Sequence, residues 1–190
     1  MDSLEPAGHS PLALHTTKTT TRELTDKPMA SQGEHHYTVK TVWTGAEQGP
    51  ARDYKSYSRA YRSEIAGKPP IDGSADPAFR GDPARHNPED LLVASLSACH
   101  MLWYLHLCAV KGVTVTAYED SAEGTMVAEP HNGRFTEVVL HPVVTITPDS
   151  DAEAAEALHE RAHAECFVSN SVNFPVRWAA KIVKAEAPAA

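Results

Sequence analysis

Cys99 and Cys166 stand 67 residues apart in unlike surroundings. Cys99 lies within the uncharged run 91–110, and Cys166 ends the charged segment DAEAAEALHERAHAEC. Only the thiolate is a good nucleophile and metal ligand, so a helix-interior cysteine needs a charged partner, for which a permanently protonated arginine is best suited. A thiol in an apolar helix is ordinarily inert packing. A second thiol able to condense with its sulfenic acid would make the pair a redox centre. That requires the two Cα atoms to come within about 4.4–6.8 Å. Cys108, nine residues after Cys99, falls about half a turn away and ~13.5 Å along a helix axis, which predicts a core residue rather than a disulfide partner. A competing chemistry is written in His159-Glu160-Arg161-Ala162-His163, an H-E-x-x-H pattern. On a helix it would offer zinc two histidines from one face, Glu160 as general base and Cys166 as a third ligand. Its bland counterpart is an amphipathic helix with ordinary polar spacing.

The elements that must position these groups follow from local signals. Residues 1–34 are rich in Thr, Ser, Pro and charge without apolar periodicity, which predicts a disordered extension ahead of a domain spanning 35–190. Strands are expected at 37–43 and 54–65, with the Pro-, Gly- and Asp-dense residues 66–88 as loop. Asn87 and Pro88 form an N-cap and first-turn pair opening a helix to about Lys111, which Gly112 ends. Its length without formal charge approaches that of a bilayer span. The helix also holds Ser95, Ser97, His100, Tyr104 and His106, and because the rest of the chain reads as a soluble α+β domain a core helix, buried all round, is expected instead. Strands at 113–128 and 136–147, joined by the turn PHNGR, precede a second helix. That helix starts at Pro148–Ser150 and is acidic in its first turn, as the dipole favours. A strand at 176–183 closes an α+β chain of order ββ-α-ββ-α-β, antiparallel sheet under two helices.

Composition narrows the function class. A formal net charge of −8 argues against nucleic acid and anionic membrane surfaces as partners. Three cysteines do not make a secreted disulfide framework, and a reducing, cytoplasmic setting fits them better. The N-terminus has no basic region before an apolar stretch, so no secretory signal is read. No glycine-rich phosphate loop occurs, and no bound nucleotide cofactor is expected. His35 and His36 are expected to be solvated. Trp43, Trp103, Tyr104 and Trp178 are expected to fill the core, and Trp103, one turn after Cys99, could line an apolar substrate pocket.

The string HNPEDLLVASLSAC (His86–Cys99) is similar to the NPE-x-L…AAC signature of the OsmC/organic hydroperoxide resistance family. AHAECFVSNSV (Ala162–Val172) resembles that family's second cysteine motif, and the likeness covers roughly residues 36–183. It implies an OsmC-like α+β fold and a thiol-dependent peroxidase that reduces organic hydroperoxides. Cys99 would then be the peroxidatic cysteine, Cys166 the resolving one, and Glu89 the partner of an activating arginine. Arg52 and Arg59 both qualify, with Arg52 slightly favoured by its loop position. The implied reductant is an external dithiol such as reduced lipoyl groups. Phe167 stands where proline is common and the loop before the helix is long, both departures toward a branch with less defined substrates. Glu89 and Cys99 are ten residues apart, about 15 Å and roughly 80° around one helix. Glu89 would therefore serve a partner chain's Cys99, which predicts an intertwined homodimer with a composite site. The alternatives are the zinc hydrolase above and a non-enzymatic stress-response binding module on the same fold.

Overall fold

The computed structural model describes residues 33–128 and 133–186. The expected N-terminal extension lies outside the described residues except at its last two positions, and so does most of the expected PHNGR turn. Nine short strands and two helices are described. Strands β1 (Lys40–Trp43), β2 (Tyr61–Glu64) and β3 (Ile71–Gly73) form one antiparallel sheet in that order. Helix α1 spans Pro88–Lys111, followed by β4 (Val115–Asp120), β5 (Glu123–Val127), β6 (Arg134–Leu140) and β7 (Pro142–Ile146). Helix α2 (Ala152–Glu165), β8 (Val176–Trp178) and β9 (Lys181–Lys184) complete the chain.

Local chemistry explains the helix ends. The Asn87 side chain accepts the Asp90 N–H at 2.7 Å while the Asp90 carboxylate accepts the Asn87 N–H at 3.2 Å, a reciprocal cap on two otherwise orphaned donors. Gly112 adopts φ +77° and returns its N–H to the Cys108 carbonyl, a left-handed stop at which a side chain would be strained. The second helix starts one residue later than expected. Asp151 is its cap, accepting the Glu153 and Ala154 N–H groups. Ser150 is instead buried, and its hydroxyl accepts the Thr114 N–H at 2.9 Å.

Each of the three long strands expected after α1 breaks in two, and the halves join different sheets, β4-β7-β9 and β5-β6-β8. The breaks fall at 121–122, at His141 and at 179–180, beside one another in space. The Asp120 carboxylate accepts the His141 N–H at 2.7 Å, and the Ala179 N–H donates to the Leu140 carbonyl at 2.9 Å. Asp120 also accepts from the Ser97 hydroxyl, which ties the bend to α1. The sheets are mixed rather than wholly antiparallel, because β6 with β8 and β7 with β9 pair in parallel. A crossover through α2 requires that direction. Strand β3, within the expected loop 66–88, is three residues paired to β2. Its Gly73 lies so close to the Tyr61 ring that a Cβ there would stand 2.2 Å from Cζ.

The core lies between α1, α2 and the two mixed sheets. Tyr104, Leu107 and Cys108 from α1 meet Val144 and Ile146 from β7 and Ala155, Leu158 and Ala162 from α2. Leu96 packs separately with Val138, Leu140 and Val176. Helix α1 is not buried all round. One face enters the core, while Ala94, Ala98 and Leu102 form an exposed stripe at four-residue spacing, Leu102 being 59% exposed. Apolar composition all round the helix hid which face stays open. Trp43, expected in the core, is 39% exposed, and its indole N–H donates to the Ser58 carbonyl at 2.7 Å. It belongs to the β1–β3 sheet, in whose strands only Gly73 is buried.

Candidate active site

Cys99 sits half-buried midway along α1, and Cys166 is the buried residue that ends α2. Both are free thiols, and Cys99 packs against the core cluster that holds Cys166, near enough for the two thiols to act on one another. Helix packing thus brings the two sulfurs together across 67 residues of sequence. Burial, and then the neighbouring Cys99 thiol, push the Cys166 thiol up to about 12. Its place at the negative end of the α2 dipole acts in the same sense. Only weak opposing help comes from the Ser169 N–H, which donates to Cys166 Sγ at 3.4 Å. Cys166 is therefore a protonated thiol at neutral pH. Cys108 is buried in the core, with its thiol also pushed up by burial.

An aromatic wall borders the thiols. Trp103, one turn beyond Cys99, is buried and meets Phe167 edge-on, with ring centroids 5.4 Å apart. Phe167, directly after Cys166, is 58% exposed, so this pair shows one apolar edge to solvent.

The arginine and glutamate lie elsewhere in the chain. Arg59 shares a cavity of about 220 Å³ with Glu89, Tyr61, Ser74 and Asp76, at the N-terminal end of α1. Its guanidinium donates to the Tyr57 carbonyl at 2.6 Å and to the Tyr54 carbonyl, and it lies 3.9 Å from the Tyr57 ring centroid. Arg52, the residue favoured from sequence, is exposed on a turn where its backbone N–H meets Ser56 Oγ at 3.2 Å. Arg59 rather than Arg52 lines the cavity that holds Glu89, with the Tyr54 and Tyr57 carbonyls folded around its guanidinium. Within one chain, Glu89 and Cys99 remain about ten helical residues, ~15 Å, apart. An open groove of about 730 Å³ runs along α1 from Glu89 and Asp90 to Met101, floored by Tyr118, Gly124 and Phe135.

The H-E-x-x-H residues are spent differently from a zinc site. His159 is fully buried and its Nδ1 lies 3.0 Å from His100 Nε2. Glu160 is exposed, and His163 Nδ1 lies 3.4 Å from Ser169 Oγ. Among the described residues no cluster of three or more His, Cys, Asp or Glu side chains has metal-holding geometry. Sequence reasoning missed three features: the His163–Ser169 contact beside Cys166, the His100–His159 pair behind Cys99, and the tyrosines that hold Arg59. The signals were present as H-x-x-C spacing, which puts His163 one turn before Cys166, and as the Y-x-x-Y-x-R string at 54–59.

No curated protein matches the chain. Among solved structures, an OsmC-like protein of unknown function from Vibrio cholerae is 31% identical with a TM-score of 0.71, over 77% of this chain and 99% of that one. An organic hydroperoxide resistance protein from Elizabethkingia anophelis (20% identity, TM-score 0.57, 80% of this chain and 100% of that one) shares the fold. So does one from Legionella pneumophila (23%, 0.55, 78% and 98%). The sequence profile of OsmC-like proteins matches residues 81–181, which hold both cysteines and Glu89. With two helices, three small sheets and this match over more than half its length, the chain belongs to the OsmC-like protein family.

Proposed function

We propose that the protein is a thiol-dependent peroxidase that reduces organic hydroperoxides to alcohols. The observation that carries this reading is the packing of Cys99 beside Cys166, two free thiols 67 residues apart in sequence that interact across the helix contact. The Cys99 thiolate attacks the distal peroxide oxygen, the O–O bond breaks, and the departing alkoxide takes a proton to leave as alcohol. Cys99 is left as a sulfenic acid, and Cys166 displaces its oxygen to give a disulfide and water. An external dithiol, of the kind carried by lipoyl groups, returns both thiols. Arg59 stabilises the charge that develops on oxygen, as preorganised donors do, and Glu89 positions it.

The arginine and glutamate reach a cysteine through a second copy of the chain. Three faces support this dimer: the β1–β3 sheet that buries little in its own chain, the exposed Ala94-Ala98-Leu102 stripe, and the open groove beside it. An active site built from Arg59 and Glu89 of one protomer and the thiols of the other follows from the ~15 Å separation. Steady-state consumption of cumene hydroperoxide and hydrogen peroxide with a dithiol reductant tests the reading. Cys99→Ser abolishes turnover, and Cys166→Ser permits one oxidation without an intramolecular disulfide. Full activity in Cys99→Ser, or in a species that sediments as a monomer, contradicts the respective half.

A further inference from the structure

The resolving step poses a chemical problem that the two cysteines do not solve. Cys166 is buried and sits at a helix C-terminus, and burial with the neighbouring Cys99 keeps it protonated, so at neutral pH it is a weak nucleophile. The proton must go somewhere before an S–S bond can form. Beside it lie two groups that the peroxidase chemistry above leaves unused. The Ser169 N–H donates to Cys166 Sγ at 3.4 Å, fixing Ser169 against the thiol, and the Ser169 hydroxyl lies 3.4 Å from His163 Nδ1. The i, i+3 spacing of His163 and Cys166 puts both on one side of the last turn of α2. Trp178 lies against His163 with ring centroids 5.0 Å apart and the planes tilted by 37°.

We infer that His163, acting through the Ser169 hydroxyl, is the general base of disulfide formation. This inference rests on the assignment of Cys166 as the resolving cysteine. In the step, Cys166 loses its proton through Ser169 to His163, and the sulfur attacks Cys99. The S–O bond of the sulfenic acid breaks as the S–S bond forms. The leaving hydroxide takes the proton back from the imidazolium and departs as water. The thiol sulfur is oxidised, the sulfenic sulfur is reduced, and no further oxidant enters. Burial lowers the affinity of His163 for protons, which keeps it a neutral base at pH 7. Of the groups packed near it, His100 from α1 interacts with it electrostatically, Ser169 after α2 offers its hydroxyl, and β8 presents Trp178. His163 reaches the reacting sulfur only through Ser169.

A peroxide-free assay separates this inference from the peroxidase reading. An aromatic disulfide such as 5,5′-dithiobis(2-nitrobenzoate) caps Cys99 and releases one thionitrobenzoate. Attack by Cys166 then releases a second, seen as a slower absorbance phase. In the full-length protein the second phase rises with pH through a midpoint below 6.5 and then levels. His163→Gln slows that phase about a hundredfold at pH 7 and removes the plateau, while the first phase changes less than about twofold. Ser169→Ala gives the same signature without touching α2, which covers a failure of the His163 variant to fold. A second phase of unaltered rate and profile in both variants overturns the inference alone. Absence of any second phase in the unsubstituted protein overturns the resolving role of Cys166, and the inference falls with it.

Discussion

His100 and His159 are joined by one 3.0 Å hydrogen bond in the core, and each leaves its other ring nitrogen unpaired. Whichever tautomer donates, one N–H and one lone pair remain without a protein partner. Tyr104 stacks on His159 at 3.9 Å and Trp178 on His100 at 6.2 Å, so aromatic rings close the pair off.

This pair makes the fold acid-sensitive. Burial lowers His100 to about 4 and His159 to about 3, against 6.5 for an exposed histidine. His163 from α2 acts on His100 in the same direction as burial, and Asp120 from β4 opposes it. The unfolded chain therefore binds more protons than the folded one between pH 6.5 and about 4. Stability is full above pH 6.5 and declines as pH falls through that window. Unfolding free energy drops by about 2–4 kcal/mol between pH 7 and 5, measured by denaturant titration. His159→Gln removes roughly half of that slope, and an unchanged slope in the variant contradicts the assignment.

Arg59 and Arg52 are separable by activity. Arg59→Met removes the guanidinium held by the Tyr54 and Tyr57 carbonyls and lowers kcat/KM for cumene hydroperoxide by about a hundredfold. Arg52→Met, on an exposed turn, leaves it within about twofold. The reverse ranking contradicts the placement of Arg59 beside Glu89.

The Trp103–Phe167 edge sets preference for bulky substrates. An aromatic contact of this kind is worth about 0.5–1.5 kcal/mol. Phe167→Ala therefore lowers kcat/KM for cumene hydroperoxide about 2- to 12-fold relative to hydrogen peroxide. Equal losses for both peroxides exclude a role in selectivity.

Cys108→Ala separates packing from chemistry. The thiol is buried between α1 and β4, so truncation costs about 1–2 kcal/mol of stability with turnover unchanged. A loss of turnover in a folded variant contradicts its purely structural assignment.

What the sequence disclosed follows the range of the interactions involved. The start of α1 at Asn87-Pro88 and its stop at Gly112 were legible because caps are chemistry between near neighbours. Both cysteines were legible because each sits in a motif. The splitting of the long strands was not, since it depends on Asp120 reaching His141 across the sheet. Strand β3 was hidden by the Pro- and Gly-rich sequence around it and exists through its pairing with β2. The open face of α1 could not be read from a helix apolar on all sides. Which of Arg52 and Arg59 lies beside Glu89 was not legible, since it depends on where the backbone carbonyls of 54 and 57 hold the Arg59 guanidinium.

The account rests on Cys99 and Cys166 forming one redox pair, and mass spectrometry of the reduced protein after one equivalent of cumene hydroperoxide tests it most directly. One equivalent of cumyl alcohol together with a Cys99–Cys166 disulfide within a single chain, Cys108 remaining a free thiol, is the predicted result. Unconsumed hydroperoxide with all three thiols intact would contradict it.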